Sequence, residues 1–253
     1  MQEKYPVLKE AEEFFFRGNE VGVLNSHGFT GSTQSMRFLG EKIAEQGFTV
    51  YGPRLTGHGT HPEDMEQASF EDWIRDVEAG LEKVKENCST VFVAGLSMGG
   101  TLTLYLAENH PELAGVMPIN AATDMPELAK NYKQLKSSGV RFIEGIGSDI
   151  KQEGIKELAY PQTPVKSMGD IMALMNIVRG NLHKVTMPIL VLSSTVDHVV
   201  PPENSKEIYE KVSSQDKEIT YLENSYHVAT LDNDKELIAE ECVRFIKRQL
   251  EKK

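Results

Sequence analysis

Short apolar runs alternate along this chain with stretches in which apolar residues return every three or four positions. Runs rich in Val, Ile, Leu and Phe at 21–25, 48–51, 91–95, 116–120, 189–193 and 219–222 predict buried strands. Between them, Phe70, Trp73, Ile74, Val77, Leu81 and Val84 paint one face of a long helix, and 35–45, 101–108, 203–212 and 235–250 predict four more. Strands and helices in alternation predict an α/β fold, with a mostly parallel sheet covered on both faces and an antiparallel edge added by the first residues. From 123 to 185 the alternation lapses into helical fragments containing Met, Lys, Gly and Pro, with no strand. The expected organisation is one core, 1–122 and 186–253, with 123–185 inserted as a small cap, or lid, between two strands of the sheet.

Composition narrows the class. At 253 residues, 40% hydrophobic and 26% charged, the chain suits one folded domain. A net charge of −11 opposes phosphate backbones and anionic lipid surfaces, so no nucleic-acid partner is expected. No apolar run approaches the roughly 20 residues of a membrane helix, and the first residues lack the apolar stretch of a signal peptide. The expectations are no stable membrane insertion and a cytoplasmic protein. Two cysteines, Cys88 and Cys242, without metal-type spacing, read as free structural thiols. Oligomeric state is not written in the pattern.

The chemistry lies in loops that follow strands. Gly95-Leu96-Ser97-Met98-Gly99 is a G-x-S-x-G pentapeptide between a β-branched strand and a helix, which predicts a sharp turn presenting Ser97 as a nucleophile. Glycines belong there because side chains would clash. A serine hydroxyl needs a histidine to take its proton and a carboxylate to hold that histidine. His227 follows the strand at 219–222 and Asp197 follows the one at 189–193, in the chain order Ser, Asp, His of α/β hydrolases. His198 reads as a loop residue without a catalytic part. His27-Gly28-Phe29-Thr30-Gly31 follows the first long strand, so the Phe29 and Met98 amides are assigned to an oxyanion hole, and His27 braces the loop.

His27-Gly28-Phe29-Thr30-Gly31, Gly57-His58-Gly59, Gly95-Leu96-Ser97-Met98-Gly99, Asp197-His198-Val199-Val200-Pro201 and Asn224-Ser225-Tyr226-His227 occur in that order. Together they resemble the small bacterial monoacylglycerol lipases and carboxylesterases, over nearly the whole chain. The resemblance implies an α/β-hydrolase fold, with the nucleophile on Ser97, acid on Asp197, base on His227 and oxyanion amides on Phe29 and Met98. It implies a fatty acyl ester of a small alcohol as substrate, bound beneath the cap, with no metal or organic cofactor. The cap offers an apolar lining that includes Ile146. Asn120 and Glu157 are candidates to bind glycerol hydroxyls, with solvated surface as the competing fate of Glu157. One departure from the pattern is Asn25-Ser26, where relatives carry an apolar pair. Two polar side chains at the end of a buried strand should each find a partner or cost about 1–3 kcal/mol. A general carboxylesterase, a lysophospholipase, thioesterase or acyltransferase, and an inactive ligand receptor on the same fold stay open as alternatives.

Overall fold

The computed structural model describes residues 1–252. The strands are β1 (Phe14–Phe16), β2 (Val21–Ser26), β3 (Thr49–Gly52), β4 (Thr90–Leu96), β5 (Gly115–Ile119), β6 (Phe142–Glu144), β7 (Gln162–Pro164), β8 (Ile189–Ser194) and β9 (Lys217–Leu222). Seven of them form one sheet in the order β1-β3-β2-β4-β5-β8-β9. Every pairing in it is parallel except β1 with β3, so the antiparallel edge comes from the first residues. β2, β4, β5 and β8 are continuous buried runs because helices cover both their faces.

The helices are α1 (Gln34–Ala44), α2 (Pro62–Gln67), α3 (Phe70–Lys85), α4 (Met98–Asn109), α5 (Pro126–Ser138), α6 (Val165–Asn181), α7 (Glu203–Lys211) and α8 (Lys235–Glu251). The start of α3 is fixed by a capping box, in which Ser69 and Asp72 satisfy each other's backbone amides. Its apolar stripe, Trp73, Val77, Leu81 and Val84, is fully buried with Leu102 and Leu106 of α4, Leu174 and Val178 of α6, and Ile208 of α7. On the opposite face, Met36, Leu39 and Ile43 of α1 meet Ile238, Cys242, Phe245 and Ile246 of α8 across Phe92 and Met117. The protein is thus a three-layer α/β fold, with its two cores separated by the sheet.

Between β5 and β8 the chain makes a long excursion holding α5, β6, β7 and α6. Here the reading of helical fragments alone is corrected, because β6 and β7 pair antiparallel, Phe142 facing Pro164 and Glu144 facing Gln162. Three-residue strands are too short to show an alternation. The two helices of the excursion differ sharply: α5 has no buried residue, whereas α6 buries seven. Among the described residues no helix is long and apolar enough to cross a membrane, and no cluster of three or more His, Cys, Asp or Glu side chains could hold a metal ion.

Asn25 and Ser26 are 1% exposed at the end of β2. Of the two outcomes expected, a partner or a cost, the second holds: among the described residues neither amide atom of Asn25 nor the Ser26 hydroxyl has a partner. The sheet ladder holds their backbone, pairing Asn25 with Ala94 and Ser26 with Gly95, and fixes the side chains in the interior regardless of polarity. An unpartnered buried amide destabilises, so Asn25→Leu should raise the stability by about 1 kcal/mol or more. Urea unfolding monitored by circular dichroism checks this, and a loss of stability in the variant would refute it.

Candidate active site

Ser97 stands between the end of β4 and the first residue of α4, at φ 56° and ψ −119°. A side chain on Gly95 would run into the Gly99 carbonyl, and one on Gly99 into the Ser26 carbonyl. The backbone is pinned by the Ser97 N–H donating to the Ile119 carbonyl at 2.9 Å, and by the Thr101 N–H donating to the Ser97 carbonyl at 3.0 Å. Thr101 Oγ1 adds a bond to the Ala122 carbonyl at 2.7 Å, tying α4 to the chain beyond β5.

His227 lies 2.9 Å from Ser97 Oγ through Nε2 and 2.7 Å from Asp197 Oδ2 through Nδ1. Both side chains are almost wholly buried, His227 8% and Asp197 2% exposed. The other carboxylate oxygen of Asp197 accepts the Val199 and Val200 amides, each at 2.8 Å, so the aspartate is anchored by its own loop. The structure therefore brings Ser97, Asp197 and His227 into one chain of hydrogen bonds, able to move a proton off the serine as it attacks a carbonyl carbon.

Phe29 and Met98 line the same pocket as Ser97. Neither amide is taken by a protein acceptor among the described residues, and that of Met98 is the first of α4, where the helix dipole adds positive potential. Behind Phe29, His27 is wholly buried, and burial pushes its imidazole down to about 4, so it is neutral. Its Nε2 accepts the Leu55 amide at 3.2 Å, which leaves the proton on Nδ1 to donate to the Gly28 carbonyl at 3.0 Å. The Gly28 carbonyl and the Phe29 N–H share one peptide plane, so His27 fixes the direction of that N–H. His58, also neutral through burial, packs edge-on against His27 and Trp73.

The remaining pocket wall is apolar, with Leu96, Ala122, Met125, Leu128, Ile146, Ile171, Val199 and Val228. Ile146 lies at the wall and is 44% exposed. Glu157 also lines the pocket, as its candidacy required, rather than meeting the competing fate of solvated surface. Its carboxyl fits against Gly31, where a Cβ would come 2.5 Å from Oε1. Burial pushes its pKa up to about 7, against the opposing influences of His227 and a Ser35 hydrogen bond. Asn120 does not line the pocket. Its Oδ1 accepts the Ser194 amide at 2.7 Å, and its Nδ2 donates to Ser194 Oγ at 2.9 Å and to the His227 carbonyl at 2.8 Å. With its amide engaged in this way, Asn120 holds the His227 loop against β8.

Glu157 generates a stability prediction. A carboxyl whose folded pKa is about 7, against an ordinary 4.5, loses stability as pH rises between those values and carries the full penalty above them. Glu157→Gln, which has no charge to bury, should gain on the wild type by about 2 °C or more in Tm at pH 8.5 relative to pH 4.5. Paired thermal melts at the two pH values measure this, and a constant difference between the proteins would refute it.

Residues 20–234 match the family profile described as serine aminopeptidase, S33. The chain is 50% identical over 247 residues to a thermostable monoacylglycerol lipase of Bacillus sp. (strain H-257), covering 97% of this chain and 98% of that one. It is 31% identical over 238 residues to a carboxylesterase of Bacillus subtilis (strain 168), covering 93% and 96%. A solved structure described under "LipS and LipT, two metagenome-derived lipolytic enzymes" superposes with a TM-score of 0.93 at 49% identity, over 96% of this chain and all of that one. A monoacylglycerol lipase of Paleococcus ferrophilus, at 20% identity and a TM-score of 0.77, shares the fold. The chain belongs to the serine aminopeptidase S33 family of α/β hydrolases, as a relative of these bacterial lipases and carboxylesterases.

Proposed function

We propose that the protein is a serine esterase that hydrolyses fatty acyl esters of a small alcohol, monoacylglycerols before others, with Ser97 as nucleophile, His227 as base and Asp197 as its orienting acid. The observation that carries this is the Ser97–His227–Asp197 hydrogen-bond chain, 2.9 and 2.7 Å, whose serine and histidine line a largely apolar pocket that also holds a carboxyl. Names of relatives at 50% and 31% identity point to the same chemistry.

Ser97 Oγ attacks the ester carbonyl as His227 Nε2 takes its proton, and Asp197 stabilises the imidazolium. The developing oxyanion is held by the Phe29 and Met98 amides. Collapse breaks the bond to the alcohol, which leaves with the proton from His227. Water, deprotonated by His227, then attacks the acyl-enzyme, giving fatty acid and free Ser97. Every proton in this cycle is moved by this chain's own residues.

The excursion at 123–185 acts as the cap over this centre. Met125, Leu128, Ile146 and Ile171, all from it, line the pocket and suit an acyl chain, with the flexible methionine tolerating variable shapes. Glu157 is the polar group of the same wall. With a pKa near 7 its carboxyl both donates and accepts around neutral pH, which matches a glycerol carrying two free hydroxyls. Such hydroxyls, once buried, need partners.

Two experiments test the reading. Ser97→Ala should fold yet lose ester hydrolysis by several orders of magnitude, and Asp197→Asn should lower kcat by roughly 10⁴-fold. Substantial activity in folded Ser97→Ala removes the serine from its role. Glu157→Ala should lower kcat/KM for monoolein by about tenfold while leaving a chromogenic butyrate ester within about twofold. Equal losses on both esters would make the protein a general carboxylesterase.

A further inference from the structure

Asp149 belongs to the excursion between β5 and β8, yet its carboxylate is engaged almost entirely with the two loops that carry Asp197 and His227. Its Oδ2 accepts the main-chain N–H of His198, the residue after the acid, at 3.1 Å, and the N–H of His227 itself, also at 3.1 Å. Its Oδ1 pairs with His198 Nδ1 at 2.8 Å, and its carbonyl accepts the Val228 N–H at 3.1 Å. The side chain is only 14% exposed. A reciprocal contact runs the other way. Asp232, fully buried in the core, accepts the Lys151 and Gln152 amides at 2.7 and 2.9 Å, and the Tyr226 amide at 2.9 Å. Two carboxylates therefore lace the turn at 149–152 to the strip of chain at 226–228.

We propose that Asp149 is a positioning residue for the reaction: one carboxylate grips the main chain of the acid loop and of the base loop together, and so sets the distance between them. The proposal rests on the triad reading above. Hydrogen bonds of 2.7 and 2.9 Å on the two sides of the His227 ring leave it little slack, and a displacement of about 1 Å at a reacting group can cost on the order of 10²-fold in rate. The ring contact with His198 is the lesser part. His198 is 58% exposed, and an ion pair so open to water contributes little. The two main-chain amides are different, since one of them belongs to the catalytic histidine and has no other acceptor to turn to among the described residues. The arrangement also makes the catalytic geometry conditional on the seating of 149–152, so the segment that carries Glu157 and the centre it serves are mechanically joined. Ser148 reinforces the join, its hydroxyl accepting the Glu157 amide at 2.9 Å.

The test uses the full-length protein and p-nitrophenyl acetate, an ester too small to depend on the cap for binding. Competent sites are counted by stoichiometric release of p-nitrophenol from diethyl p-nitrophenyl phosphate, so that turnover is expressed per working molecule rather than per folded mass. Asp149→Ala should lower kcat per titrated site by about 10- to 100-fold with KM within about twofold. Asp149→Asn, whose amide oxygen can still accept both N–H groups but carries no charge, should fall between Ala and wild type. His198→Ala, which removes the ring and leaves both main-chain bonds, should stay within about twofold of wild type. Wild-type kcat per site in Asp149→Ala, with only Tm reduced, overturns the proposal, as does a His198→Ala loss equal to that of Asp149→Ala. If the alanine variant does not fold, the asparagine variant decides by the same measure. The triad itself fails separately, through activity in Ser97→Ala, so the two ideas fall to different results.

Discussion

The close approach of the β4–α4 turn to the end of β2 is the constraint on which the rest of the site depends. Ser97 occupies a left-handed backbone conformation that costs an L-residue on the order of 1–3 kcal/mol, and it persists because the surroundings permit no other path. With no side chain at Gly95 or Gly99, α4 can begin directly against the Ser26 and His27 carbonyls. That contact brings the loop at 27–30 beside the serine, with the missing Cβ of Gly28 only 3.3 Å from Ser97 Cβ. The strain is held by the parallel ladder and by the two cores on either side of the sheet. In return Ser97 lines one pocket with Phe29 and Met98, whose amides have no protein acceptor among the described residues.

A second theme is the use of side-chain oxygens as anchors for loops. Asp197 accepts two amides of its own loop, Asp232 accepts four amides in all, and Asn204 accepts those of Thr123 and Asp124 where the chain leaves β5. Asp149 works in the same way on the His227 loop, which Asn120 holds by the opposite polarity, its Nδ2 donating to the His227 carbonyl. Loops at the carboxyl ends of parallel strands have no ladder to hold them, and an acceptor that takes several N–H groups at once substitutes for one. For a fully buried carboxylate such as Asp232, those N–H groups also offset the cost of leaving water.

The frame of the molecule was legible in the sequence because its signals are local. Continuous apolar runs marked the buried strands, the Phe70 to Val84 stripe marked α3, and G-x-S-x-G between strand and helix marked the turn at Ser97. What escaped is what depends on distant partners. Nothing around Ile155-Lys156-Glu157-Leu158 says that its glutamate faces inward. The fact that decides it is the bare Gly31 opposite, together with Tyr160, whose amide donates to the Thr30 carbonyl and whose hydroxyl donates to the Gly57 carbonyl. Asn120 looked available at a strand end, but its partners, Ser194 and His227, lie far along the chain. Asp149 carried no signal at all, being one acid among 38. At Asn25 and Ser26 the rule that buried polar groups find partners failed, because the β2 ladder dictates their position.

The contrast between α5 and α6 has a consequence for how such a pocket can change. Because α6 is built into the core, a substitution along it must satisfy neighbours on α3 and α4 as well as the substrate. α5 has fewer such obligations, resting on α6 through Tyr132 against Gly169, yet Leu128 on it, with Met125 just ahead of it and Ile146 beyond it, forms part of the pocket wall. Variation at the exposed positions of α5 can therefore reshape the pocket wall while disturbing fewer buried contacts than the same change on α6. The outer helix is in effect a faceplate on the pocket, the part of its wall where a change of shape or polarity meets the fewest buried neighbours.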